Sequence, residues 1–177
     1  MLTDGGGKLL DRVEQSLGIR TIRIDPDRGF FLNGQPLALH GVSRHQDSAG
    51  KGAALSDADH ARDMDLIEEI GANTIRFAHY QHAGKWLELS DQRGMVAWAE
   101  IPYVSMATFD DGEPSPAVVA NARQQLVELI RQNHNHPSVA VWAVGNEVDS
   151  KSLAGRPVKA RGLLEELHRL ARVEDPS

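Results

Sequence analysis

The chain contains no cysteine. That excludes a disulfide framework, thiolate metal ligands and a cysteine nucleophile, and leaves the redox compartment open. A basic surplus is also missing: 19 Lys and Arg stand against 25 Asp and Glu, for a net charge of -6. Nucleic acid or an anionic membrane would favour a basic stripe, so neither is expected as a partner. No apolar run approaches the roughly 20 residues needed to cross a bilayer. The opening residues Met1 to Gly7 hold no apolar segment of the kind a signal peptide carries, so a native start would imply a cytoplasmic location. There is no short-period repeat and no low-complexity tract. What is present, 41% hydrophobic and 25% charged residues in a chain of 177, suits a globular fold large enough to bury a core.

The most informative stretch runs from Ser138 to Glu147. Val139 to Val144 is apolar without alternation and stops at Gly145, Asn146 and Glu147. Such a run suits a strand buried on both faces, as in a parallel sheet covered by helices. Pro137 marks its start, because proline breaks a helix and pushes His136 toward extended geometry. Asn146 and Glu147 then sit at the carboxyl end of the strand, where parallel barrels carry their chemistry. A carboxylate at the mouth of an apolar barrel is poorly solvated, which suits a general acid working near neutral pH.

The rest of the chain repeats this plan. Residues 1–20 read as a leader or linker, and the fold proper spans 21–177. Thr21 to Ile24 alternates like a strand, and Asn33-Gly34 between Phe31 and Leu37 favours a tight hairpin turn. Leu37 to Val42 reads as the next strand and runs into the polar cluster Ser43 to Asp47. Ser56, with acidic residues following, starts a helix that Gly71 closes. Asn73 to Ala78 forms a strand that delivers His79 to His82, and a helix from Lys85 to Arg93 follows. Met95 to Ala99 delivers Glu100. A long loop spans Ser105 to Ser115, and Pro116 opens a helix with Leu126, Leu129 and Ile130 on its inner face. A last helix covers about Val158 to Val173.

A hairpin followed by four strand-helix units gives an α/β parallel sheet. An open doubly wound sheet and part of a (β/α)8 barrel compete. The position after the first parallel strand holds His40-Gly41-Val42-Ser43-Arg44-His45, with no glycine-rich phosphate cradle. Polar residues end each strand, as a shared mouth requires, so the first half of a TIM barrel is the better reading.

These segments together resemble the catalytic domain of glycoside hydrolase family 2, the family of β-galactosidases, β-glucuronidases and β-mannosidases. The resemblance rests on Phe31 to Pro36 with His40 to His45, on Gly71 to Tyr80, on Trp98 to Pro102, and on Asn135 to Ser138 with Gly145-Asn146-Glu147. Within the family, Arg76 to His82 is most similar to the β-galactosidase branch. The resemblance implies that Glu147 is the proton donor and later the base for water. It makes Asn146 the partner of the sugar 2-hydroxyl, an interaction that strengthens in an oxocarbenium-like transition state. Arg76, His79 and His45 would line the sugar subsite, and Glu100 would support Glu147 or an arginine.

A retaining glycosidase also needs a nucleophilic carboxylate about 5–5.5 Å from the acid. The family takes it from a later strand that this sequence does not reach, so little or no activity is expected of this chain alone. Some β-galactosidases hold magnesium near the acid. Ile101 to Val104 adds no oxygen or imidazole ligand after Glu100, so no metal or other cofactor is expected. His134 and His136 lack a third ligand for zinc and lie at the wrong end of their strand. A half barrel leaves two strand edges and an apolar inner face uncovered, which favours a homo-oligomer. The alternative to a β-galactoside hydrolase is a non-catalytic carbohydrate-binding or self-assembling half-barrel module.

Overall fold

The computed structural model describes residues 1–14, 16–104, 114–148 and 159–177. Its centre is a parallel sheet of four strands in the order β6 (Gly41–Arg44), β7 (Thr74–Phe77), β8 (Val96–Glu100) and β9 (Val139–Ala143). The chain reaches it through a three-stranded antiparallel unit of β3 (Ile22–Asp25), β4 (Gly29–Leu32) and β5 (Gln35–Pro36). Asn33 and Gly34, at φ 50° and 78°, make the β4–β5 turn. Two consecutive positive φ values are what a tight hairpin needs, and they explain the Asn-Gly pair. Ahead of this unit, β1 (Leu2–Thr3) and β2 (Leu9–Asp11) pair antiparallel and fully exposed.

Helices α1 (Asp57–Glu69), α2 (Gly84–Arg93), α3 (Pro116–Asn133) and α4 (Arg161–Glu174) follow the four parallel strands in turn. Ser56 caps α1 by accepting from the Asp59 amide while the Asp59 carboxylate accepts from the Ser56 amide, satisfying two backbone donors that a helix start leaves unpaired. Ser115 caps α3, with Pro116 in the first turn, where its missing N–H costs nothing. Along the outer sheet face, Phe77 and Ala99 share a row and meet the core under the helices, with Trp86, Leu126, Ile130 and Leu167 fully buried. Each such aliphatic side chain contributes about 1.5–3 kcal/mol by leaving water. The opposite face carries Arg76, Trp98 and Val141 in one row, and Trp98 remains 42% exposed there.

The first parallel strand begins later than its apolar pattern suggests. Leu37 to His40 is not strand, because Asn73 takes over its backbone. The Asn73 side chain donates to the Ala38 carbonyl and accepts from the His40 amide, both at 2.8 Å. Parallel pairing starts at Gly41 opposite Thr74. The expected long loop at Ser105 to Ser115 falls mainly outside the described residues, as does most of the segment between Glu147 and α4.

Candidate active site

Parallel strands deliver their carboxyl ends to one rim, and the polar residues expected at strand ends collect there. Glu100 is the last residue of β8 and is fully buried. Its carboxylate accepts from Arg76 Nε at 2.7 Å, Arg76 Nη2 at 3.0 Å and His79 Nδ1 at 2.8 Å. Both oxygens are thus engaged by charge-assisted or imidazole donors, the arrangement a buried carboxylate requires. Arg76 Nη2 also donates to Asn146 Oδ1 at 2.8 Å. That bond fixes the Asn146 amide, leaving its Nδ2 group as the donor available to a ligand. His79 donates through Nδ1, so its Nε2 is the ring atom left for other partners. His45 stands edge-on to His79, with ring centroids 5.1 Å apart.

Backbone contacts hold Asn146 in place. Its amide donates to the Tyr103 carbonyl at 2.9 Å, and an isolated parallel bridge joins Val104 to Asn146. Pairing between the two strand ends therefore continues past β8 and β9. Gly145 is required by close approach: a Cβ there would lie 3.0 Å from the Tyr103 ring and 2.9 Å from Val148. Burial pushes the Tyr103 hydroxyl up to about 12, so it stays protonated. Glu147 follows at the rim and is exposed, not poorly solvated as the apolar run before it suggests, because four strands leave the mouth open; its backbone is left-handed at φ 51°. An L-residue pays about 1–2 kcal/mol for that conformation, and such strain concentrates at functional positions. The Ala78–His79 peptide is cis.

Behind the sheet lies a second polar cluster, which a strand-end pattern alone does not separate from the first. Arg44 is buried and donates to Asp63 Oδ2 from Nε at 2.9 Å and Nη2 at 2.6 Å, and its guanidinium lies 3.9 Å from the Trp86 ring centroid. It also faces His60 Nδ1 at 3.2 Å and His82 Nδ1 at 3.4 Å. Each imidazole accepts through Nδ1, which an arginine donor allows only for the neutral ring. Burial pushes His82 down to about 3; the Ala78 carbonyl opposes that shift and the Arg44 charge adds to it. Desolvation and the Arg44 charge lower His60 as well. His82 stacks on Phe77, with centroids 5.0 Å apart. This cluster is a structural core.

Of the residues expected at the mouth, Arg76, His79, Glu100 and Asn146 form one hydrogen-bonded chain. His45 joins it by ring contact, and Glu147 is the next residue along the rim. His134 and His136 sit apart: His136 pairs with Asp91 at 2.6 Å, and His134 faces the Arg131 carbonyl. Trp142 donates to Asp175 at 2.8 Å on the helix side. Among the described residues no three His, Asp or Glu side chains are grouped to hold a metal ion. Tyr103, Gln46 and Tyr80 take their parts through contacts between loops far apart in sequence, which no local pattern signals.

Comparison with known proteins agrees with this architecture. The family model "Glycosyl hydrolases family 2, TIM barrel domain" matches residues 22–177. A β-glucuronidase of Bacteroides fragilis is 47% identical over 173 residues, covering 97% of this chain and 24% of that protein. A β-galactosidase large subunit of Lactobacillus acidophilus is 32% identical over 154 residues, covering 81% and 24% respectively. The crystal structure of a Bacteroides uniformis β-glucuronidase superposes with a TM-score of 0.84 at 38% identity, over 98% of this chain and 21% of that one. The chain therefore spans about a quarter of the length of the curated relatives it matches. It belongs to glycoside hydrolase family 2, as a four-unit part of that family's TIM barrel domain.

Proposed function

We propose that this chain supplies the acid/base half of a retaining β-glycosidase and that its mouth takes a β-glucuronide. The observation that carries the proposal is the bonded chain Asn146–Arg76–Glu100–His79 beside Glu147, at the carboxyl ends of parallel strands. Glu147 gives its proton to the glycosidic oxygen as the bond to the anomeric carbon breaks, and later takes a proton from the attacking water. Asn146, its amide oriented by Arg76, donates from Nδ2 to the sugar 2-hydroxyl. His79 and His45 present ring nitrogens to the remaining hydroxyls. Glu100 is not the nucleophile in this scheme, because both of its oxygens are committed to Arg76 and His79. It keeps the arginine in place. No cofactor takes part.

The glucuronide is supported by the 47% identity to a protein named as a β-glucuronidase. A β-galactoside is the second reading, supported by the Arg76 to His82 stretch and by the β-galactosidase relative. Calorimetric titration with D-glucuronic acid and with D-galactose separates them. The glucuronide reading expects tighter binding of glucuronic acid, weakened about tenfold by Asn146→Ala, the worth of about one hydrogen bond. Preference for galactose selects the second reading. Equal binding to wild type and Asn146→Ala overturns both.

The partner surface follows from the sheet. Strands β6 and β9 are edges, each paired on one side among the described residues. Eight parallel strands close such a barrel. Two copies of this chain related by a two-fold axis supply eight strands and cover both edges. Light scattering is expected to give a mass above that of one chain, and a monodisperse monomer refutes this assembly.

A further inference from the structure

His45 and His79 come from loops that follow different strands, and something must keep their rings in register. Gln46 touches both sides of that gap. Its backbone amide donates to the Tyr80 hydroxyl at 2.9 Å, and its side-chain Oε1 accepts from the Ala83 amide at 2.7 Å. Ala83 is the N-cap residue of α2 and has no capping side chain of its own. Gln46 therefore does from the neighbouring loop what a Glu or Gln at the third helical position does in a capping box, accepting from the amide of the N-cap residue itself. Tyr80 lies between the exposed His45 and the buried His82, with ring centroids at 6.2 Å and 5.3 Å. The buried ring is in turn fixed by stacking on Phe77. A continuous path thus runs from the core, through His82 and Tyr80, to the two imidazoles at the mouth.

We propose that Gln46 and Tyr80 are positioning residues: they clasp the loop after β6 to the loop after β7 and hold His45 edge-on to His79. The proposal rests on the mouth being a glycone subsite only for its consequence, not for its mechanics. A His45–His79 pair held at fixed spacing offers two ring nitrogens to adjacent hydroxyls at little ordering cost, which is where preorganisation adds affinity. Neither residue touches the sugar in this account.

Proton NMR of the full chain tests it. An imidazole edge held against another ring has a ring proton shifted upfield, and wild type is expected to show that signal for His45 or His79. Gln46→Leu removes the Ala83 acceptor and is expected to abolish the shift. Gln46→Glu keeps an acceptor, at a helix start that favours negative charge, and is expected to retain it. Tyr80→Phe deletes one hydroxyl and is expected to lose it with the fold intact by circular dichroism. This variant decides the matter should Gln46→Leu fail to fold. An unchanged shift in Tyr80→Phe, or an equal loss in Gln46→Glu and Gln46→Leu, overturns the clasp. Titration with D-glucuronic acid is expected to weaken about tenfold in Tyr80→Phe, the equivalent of one hydrogen bond. Should wild type bind neither glucuronic acid nor galactose while the ring signal still answers to Tyr80, the clasp stands and the glycone reading falls.

Discussion

Replacing Glu100 with glutamine removes one charge and leaves every atom of the frame in position. Wild-type Glu100 accepts three hydrogen bonds, two of them from Arg76, while fully buried. The glutamine amide can accept with one oxygen only, and its NH2 group turns a donor toward Arg76 or His79. Hydrogen bonds to charged groups contribute about 1.5–3 kcal/mol each, and they are not additive within one network. Removing one partner of a buried ion pair costs about 3–5 kcal/mol, because the other charge stays behind. Glu100→Gln is therefore expected to destabilise the chain by about 3–5 kcal/mol, a large share of the about 5–15 kcal/mol typical of a folded domain. Urea unfolding followed by circular dichroism reads it as a lowered midpoint. Arg76→Met is expected to be similarly costly, and the double variant much less costly than the sum. A loss below about 1 kcal/mol for Glu100→Gln, or strict additivity, refutes the reasoning that this network is one unit.

Three further outcomes follow from separate features. Gly145→Ala brings a Cβ to within 3.0 Å of the Tyr103 ring, and is expected to cost about 1–3 kcal/mol in urea unfolding; an unchanged midpoint contradicts the close approach. Glu147→Gly is expected to be about 1 kcal/mol more stable than Glu147→Ala, since both lack the carboxylate but only glycine is at ease at φ 51°; equal midpoints contradict the strain. His82 is depressed in the folded chain to about 3 from 6.5, so the unfolded chain binds the extra proton first as pH falls. Its stabilisation is complete above about pH 6.5 and is lost on descending toward pH 3, at up to about 1.4 kcal/mol per pH unit, with His60 acting in the same direction. Unfolding midpoints between pH 7 and pH 4 are expected to fall less steeply in His82→Gln than in wild type.

Much of the fold was legible because strand-helix alternation is written in hydrophobic runs and helix caps. The runs ending at Ala78, Ala99 and Val144 became neighbouring parallel strands, each end within one residue, and the Ser56 and Pro116 signals opened helices. The Leu37 to Val42 strand was misplaced because Asn73, more than thirty residues away, competes for its backbone, and no local pattern encodes that. At the mouth, the strand-end pattern points to Glu100 and Asn146, while Arg76 and His79 enter as site residues through the family resemblance. Their bonding order was not announced, since it depends on the register of β7 against β8. Arg44 belongs to the polar cluster that the sequence places at the end of the first parallel strand. The pleat sends its side chain to the opposite face, where it meets Asp63 and Trp86 instead of the rim. The Gln46–Tyr80 contact left no sequence signal at all, because glutamine in a polar loop is unremarkable.

The direct test of the whole account is amide and side-chain NMR of the chain during titration with D-glucuronic acid. Shift changes centred on Asn146, Glu147, His79 and the Arg76 guanidinium are expected, saturating together with a single affinity. Changes confined to the opposite end of the strands, around Asp91 and His136, or no saturable change with either glucuronic acid or galactose, contradict a glycone site at this rim.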